Sequence, residues 1–290
     1  MKTKSNQIKK LLAVYYLLLS FPFLGFCQTI NKKNDLQKEG LVANIKQVKQ
    51  NCYIAAEKFG ELTQGNKKNT ENDNYLSLYN ENGNKTEWII YVNEADKYKK
   101  YTYKYIDTAS KMEENFYRPD GSLDWKYIHK FDSKGNEIEE NWYAPDGRLC
   151  RKGIYKYDDK ENRIEANYYN ADGNLECKYM YKHDDKGSKN EETKYTASDN
   201  LIWKRIYKYD DKGNLIESNE YKIDGRLKWN ITYKYDDKRN QTEINTYKAN
   251  GGLESRQIYT YEYDKIGNWI KRINKMGKEY SITIREITYY

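Results

Sequence analysis

The chain has 290 residues, 38% of them hydrophobic and 33% charged, with a formal net charge of +7. Lys and Asp/Glu are interleaved without a basic block, which argues against a phosphate-neutralising nucleic-acid surface. So few aliphatic residues would suit a disordered chain, but 32 tyrosines and a clear strand alternation exclude that class too.

Residues 1–27 read as a cleavable signal peptide. MKTKSNQIKK is a basic n-region, and LLAVYYLLLSFPFLGF is an apolar run too short for a comfortable membrane span and interrupted by Pro22. Gly25 and Cys27 put small residues at the two positions that a cut after Cys27 needs. The rival reading is a lipid anchor on Cys27; Phe26, large where a lipoprotein signal has a small residue, stands against it. Removing the segment takes four lysines and no acid, so the charge falls from +7 to +3. The remaining chain is expected to be exported (periplasmic, cell surface or secreted) with no transmembrane span after cleavage. Cys52, Cys150 and Cys177 are too few for a disulfide framework, so one pair or none is expected.

Residues 28–76 precede the repeats. LVANIKQVKQNCYIAAEKFGEL (41–62) predicts an atypical entry hairpin or cap, and TQGNKKNTENDN (63–74) a polar loop. A repeat array fills 77–290. Tyr-x-Tyr-Asp begins at Tyr155, Tyr181 (as YKHD), Tyr207 and Tyr233, always 26 residues apart; the same step backwards meets His129, Tyr103 and Ser77. The next start slips by two, to Tyr261. Asp120-Gly121, Asp146-Gly147, Asp172-Gly173, Asp224-Gly225 and Asn250-Gly251 keep the same period, with Leu123, Leu149, Leu175, Leu201, Leu227 and Leu253 behind them.

Each unit therefore reads as two strands and two turns, with Gly, Asp and Asn supplying the positive φ of tight hairpins. Leu227, Trp229, Ile231, Tyr233 and Tyr235 share one face of the second strand; Lys228, Asn230, Thr232 and Lys234 share the other. The first strand carries Ile138, Ile164 and Ile216 on one face and a Glu-x-Asn-x-Tyr column on the other. SITIREITYY is a terminal, capping strand. Eight units predict about sixteen antiparallel strands, more than an open sheet holds without curling or splitting. The expected fold is all-β: a repetitive antiparallel β-hairpin meander of 26-residue units, coiling into a long twisted or shell-like sheet. Cys150 and Cys177, 27 residues apart, fall two strands apart on opposite faces and cannot be bridged.

Tyr-x-Tyr-Asp-x-x-Gly-Asn followed by x-Asp-Gly-x-Leu resembles the YD repeat of the Rhs (rearrangement hotspot) family. The resemblance covers roughly residues 77–290, is strong at Tyr207–Asn214 and Tyr261–Asn268, and loosens at Tyr103–Ser110. It implies antiparallel hairpins spiralling into a hollow shell, and an association with carbohydrate. The large Rhs toxins carry Asp-Pro-x-Gly signals for self-cleavage; this chain has only Pro22, Pro119 and Pro145 and no Asp-Pro. It is similar to short exported repeat proteins of the kind common in Bacteroidetes, for which the resemblance implies no defined activity.

No catalytic motif or metal-spaced Cys/His set is present, and no enzyme activity, cofactor or metal is expected. His129 and His183 occupy Tyr columns and read as substitutions within a half-buried face. Asp158-Asp159, Asp184-Asp185, Asp210-Asp211 and Asp236-Asp237 read as turn formers rather than calcium ligands. The aromatic columns are the candidate ligand surface: Trp125, Trp203 and Trp229 at one repeat position, Trp142 at another, Tyr169 and Tyr221 at a third. Any one of these rings is more often core than ligand contact. Two functions follow: a glycan- or polysaccharide-binding module of the cell envelope, or a structural or protein-interaction scaffold at the cell surface. A glycan or a surface protein is the expected partner.

Overall fold

A computed structural model describes residues 33–68, 73–91, 98–105 and 111–290. Residues 1–27, read as a signal peptide, lie outside the described residues. A short helix, α1 (Asp35–Lys38), precedes β1 (Ile45–Lys58), β2 (Glu61–Lys67), β3 (Tyr75–Tyr79), β4 (Lys85–Tyr91), β5 (Tyr98–Tyr105) and β6 (Lys111–Tyr117). Next come β7 (Leu123–Phe131), β8 (Glu137–Tyr143), β9 (Leu149–Tyr157), β10 (Arg163–Asn170), β11 (Leu175–His183) and β12 (Lys189–Thr196). The last are β13 (Leu201–Tyr209), β14 (Leu215–Lys222), β15 (Leu227–Tyr235), β16 (Gln241–Lys248), β17 (Leu253–Tyr263), β18 (Trp269–Met276) and β19 (Glu279–Tyr289).

From β3 to β19 each strand pairs antiparallel with the next, as the period predicts. The long β1 then joins the two ends. It pairs with β19 from Ile45 to Ile54, with β3 through Gln47–Gln50, and with β2 through Tyr53–Lys58. The result is a closed barrel of 18 strands, with β2 extending beside β1 past the end of β3. This corrects the expected open or spiralling sheet: the segment read as an entry hairpin is the stave that closes the ring, which removes both long sheet edges. The segment 63–74 is likewise not all loop, since β2 runs on to Lys67.

Both kinds of turn are built the same way. At Asp210–Asn214 the Asp210 N–H donates to the Asn214 carbonyl (2.9 Å) and the Gly213 N–H returns to the Asp210 carbonyl (3.0 Å); Lys222–Arg226 repeats the pattern. This is a three-residue hairpin whose last residue is left-handed, and Gly213 and Gly225 both sit at φ 78°. The first Asp of each acid pair organises the turn: Asp210 Oδ1 accepts from the Asn214 N–H at 2.7 Å, and Asn214 Nδ2 donates to Oδ2 at 2.8 Å. The turn reading of the acid pairs therefore holds at Asp158, Asp184, Asp210 and Asp236. Just after each such turn, one strand gains an extra residue. At Ile138 this bulge turns the isoleucine outward, leaving it exposed rather than part of a buried column.

One sheet face lines the lumen. Among the described residues, ring-to-ring contacts occur on that face alone, as expected of the concave side, where side chains converge. Eighteen strands spaced ~4.8 Å and tilted ~40° put opposite walls roughly 35 Å apart, and barrels of this strand number hold a water channel. The segment before β1 packs against one part of this face. Leu36 and Leu41 pack on Ile45, Val48 and Tyr79, and Val42 exchanges two backbone bonds with the Asn268 amide (2.8 and 2.9 Å). Cys52, Cys150 and Cys177 are all free.

Where glycine is missing from the third turn position, Glu161 (φ 65°), Asp199 (φ 59°) and Arg239 (φ 69°) are forced left-handed. Glu161→Gly should therefore stabilise the chain by about 1 kcal/mol, and Gly225→Ala should destabilise it by a similar amount, in urea unfolding followed by circular dichroism.

Candidate functional site

Three neighbouring parts of the lumen wall carry the polar chemistry. An aromatic girdle runs along it from β3: Tyr75, Trp88, Tyr101, Phe116 and Trp125 touch in series, with centroids 4.6–6.3 Å apart. Beyond Tyr127 and Trp142, the Arg151 guanidinium lies between Trp142 (5.2 Å) and Tyr168 (4.6 Å). Tyr168, Tyr179 and Trp203 follow edge to face, and Arg205 covers Trp203 (4.2 Å) and reaches Trp229 (5.6 Å). Each such contact contributes about 0.5–1.5 kcal/mol beyond area burial.

Below the girdle, tyrosine hydroxyls tie the strands together. Tyr157, Tyr209, Tyr235 and Tyr261 donate to the backbone carbonyls of Glu137, Lys189, Leu215 and Gln241, each 20 residues back, at 2.7–2.8 Å. The preceding Tyr column meets acids: Tyr155 donates to Glu140 (2.9 Å) and Tyr207 to Glu192 (2.7 Å). Glu220, 1% exposed, is held by Arg205 (2.8 Å) and Lys228 (2.5 Å). Removing one partner of such a buried pair costs about 3–5 kcal/mol.

His129 stands in a denser cluster. Its Nδ1 meets Glu137 at 2.7 Å and its Nε2 lies 3.8 Å from Glu114; Arg163 holds Glu137 at 3.0 Å and stacks 3.9 Å from Tyr155. Burial works against the imidazolium, but Glu114 and Glu137, with the charge of Glu140, outweigh it and raise the pKa to about 9. His129, Glu137 and Glu140 could converge on a metal ion. Arg163, Trp142 and Tyr155 already donate to the two carboxylates, so the group reads as an ion-pair network. His183 is different: desolvation lowers its pKa and dominates over Asp158.

The structure divides the candidate residues. Trp125, Trp142, Trp203 and Trp229 all face the lumen and lie on or beside the girdle, with Trp125 44% exposed. Tyr169 and Tyr221 lie on the outer face, opposite Lys152 and Lys204. No single surface unites the six. Sequence reading missed the lumen arginines Arg151, Arg163, Arg205, Arg272 and Arg285. Arg151, Arg163 and Arg205 sit at repeat positions held elsewhere by other residue types, and Arg285 lies in the capping strand, so no repeated column marks them.

No protein-family model and no curated protein sequence matches the chain. Among solved structures it is similar to a porin-like protein from Bacteroides uniformis, at 10% identity over 84% of this chain and 96% of that one, TM-score 0.44. It is also similar to TcdB2-TccC3, at 13% identity over 75% of this chain but only 15% of that one, TM-score 0.34. A DUF1329 family protein from Desulfovibrio piger matches at 8% identity over 84% of this chain and 86% of that one, TM-score 0.20. Among the described residues no helix is long and apolar enough to cross a membrane.

Because the folded His129 pKa stands above its ordinary value of about 6.5, its contribution to stability is complete below that pH. It is lost as the pH rises through about 9. Melting temperature should thus fall between pH 6.5 and 9 more steeply in the native chain than in His129→Gln.

Proposed function

We propose that this chain is an exported, non-enzymatic YD-repeat barrel that stands in water and binds carbohydrate along its lumen wall. The observation that carries the reading is the girdle, in which a run of aromatic rings passes into Tyr and Trp rings interleaved with Arg151 and Arg205, on a wall whose opposite side lies roughly 35 Å away. Sugar rings present apolar faces edged with hydroxyls, and such a wall offers both stacking surfaces and charged hydrogen-bonding partners.

The outer face supports a barrel in water rather than one in lipid. Lys130–Glu139, Lys156–Glu165, Lys182–Glu191, Lys208–Glu217 and Lys234–Glu243 repeat around it at 2.7–3.2 Å. Lys152 and Lys204 bridge onward to Glu139 and Glu191 at 3.0 and 2.6 Å. A lysine facing hydrocarbon at mid-membrane costs about 2–4 kcal/mol, and this belt repeats the charge in five successive units.

The chain lacking residues 1–27 should purify without detergent, and a requirement for detergent would remove the aqueous reading. On a glycan array it should retain a polysaccharide that also changes its tryptophan fluorescence. Trp203→Ala with Trp229→Ala should weaken that binding about tenfold or more, while Tyr221→Ala on the outer face leaves it unchanged. Absence of any glycan signal would reject the carbohydrate reading in favour of a structural or protein-interaction scaffold.

A further inference from the structure

Most lumen arginines are neutralised. Arg163 is paired with Glu137 at 3.0 Å, Arg205 with Glu220 at 2.8 Å and Arg151 with Glu176 at 2.9 Å. The stretch of wall made by β18, β19, β1 and β3 breaks that rule. Arg272 and Arg285 lie on adjacent strands, with Arg272 opposite Thr283 and Arg285 two residues further on. Both guanidinium groups rest on Trp269, Arg285 at 3.5 Å from the ring centre and Arg272 at 5.3 Å. Neither makes an ion pair with a carboxylate among the described residues. Asp73, whose carboxylate feels the charge of Arg272, is engaged instead by Lys68 at 3.4 Å.

The remaining partners there are neutral. Arg285 donates to Gln50 and to the Tyr75 hydroxyl, both at 3.1 Å, which uses two of its five N–H groups. The Arg272 Nε and the Asn274 Oδ1 are shielded from solvent with no hydrogen-bond partner at all. With neither arginine paired to a carboxylate, the terminal N–H groups remain for an incoming acceptor, and a planar carboxylate is the one that fits their fork. Trp269 lies against both guanidinium groups and limits their movement. The amides of Gln50 and Asn274 and the Tyr75 hydroxyl flank them, the group types that hold sugar hydroxyls.

We infer that Arg272 and Arg285, backed by Trp269, form a subsite for the carboxylate of an acidic sugar, so that the carbohydrate bound in the lumen is a uronic-acid oligosaccharide. This rests on the carbohydrate reading and narrows it to one chemical class. The ligand lies along the lumen wall with its rings against the aromatic girdle and one carboxylate anchored at this patch.

The probe is tetragalacturonate, compared with its fully methyl-esterified form, which keeps ring and length but removes the charge; both are titrated calorimetrically into the chain lacking residues 1–27. The acid should bind at least tenfold more tightly than the ester. Arg272→Gln and Arg285→Gln should each remove most of that preference while leaving ester affinity within twofold, with circular dichroism confirming that both variants are folded. Equal affinity for acid and ester, or a double variant that retains the preference, overturns the subsite and leaves the carbohydrate reading standing. Acetate or inorganic phosphate bound as tightly as the oligomer would reduce the site to adventitious anion binding and overturn it. Failure of these probes together with every glycan on the array removes both readings at once.

Discussion

The antiparallel backbone ladder, carried without interruption around the ring, is the constraint on which everything else depends. A sheet this wide cannot stay flat, because each strand is rotated against the last. Nor can it be left open without two exposed rows of N–H and C=O groups. β1 resolves both difficulties by pairing with β19 on one side and β3 on the other. The barrel wall then needs no second layer, and the apolar cluster of Leu36, Leu41, Ile45, Val48 and Tyr79 remains local rather than forming a central core.

Tyrosine does the work that aliphatic residues do in a two-layer protein. Its ring packs against cross-strand neighbours on the concave side, and its hydroxyl closes bonds to a neighbouring strand or to a buried acid. The ring contributes burial while the hydroxyl stays satisfied, so the wall can be thin and still ordered. Asp and Asn at the turns act in the same spirit, replacing loop packing with hydrogen bonds such as those between Asp210 and Asn214. The charged belt outside the barrel is self-paired, whereas the wall inside leaves Arg272 and Asn274 with unmatched atoms.

The 26-residue period made the strands, both turns and the shared face of Trp229, Ile231, Tyr233 and Tyr235 legible, because each depends on local alternation and local turn chemistry. Closure was not legible. β1 bears no repeat signature, and the two strands it joins, β3 and β19, lie far apart in the chain. The direction of curvature was hidden as well, since the column of Tyr169 and Tyr221 and the column of Trp203 and Trp229 look equally aromatic in sequence and differ only in which side is concave. The two-residue slip before Tyr261 also has a physical meaning: it lengthens β17 to 11 residues and keeps Tyr259, Tyr261 and Tyr263 on the lumen side next to Trp269.

Closure by the first strand imposes an order in time. β1 precedes all its partners in the chain, yet its main partner, β19, is the last of the described strands. Until β19 pairs, the growing sheet is a strip with an unsatisfied margin at each side, and contacts of such wide separation along the chain form slowly. The interval before the last hairpin arrives is when this molecule is most open to joining another copy of itself, and a chain truncated before Glu279 would remain in that condition permanently.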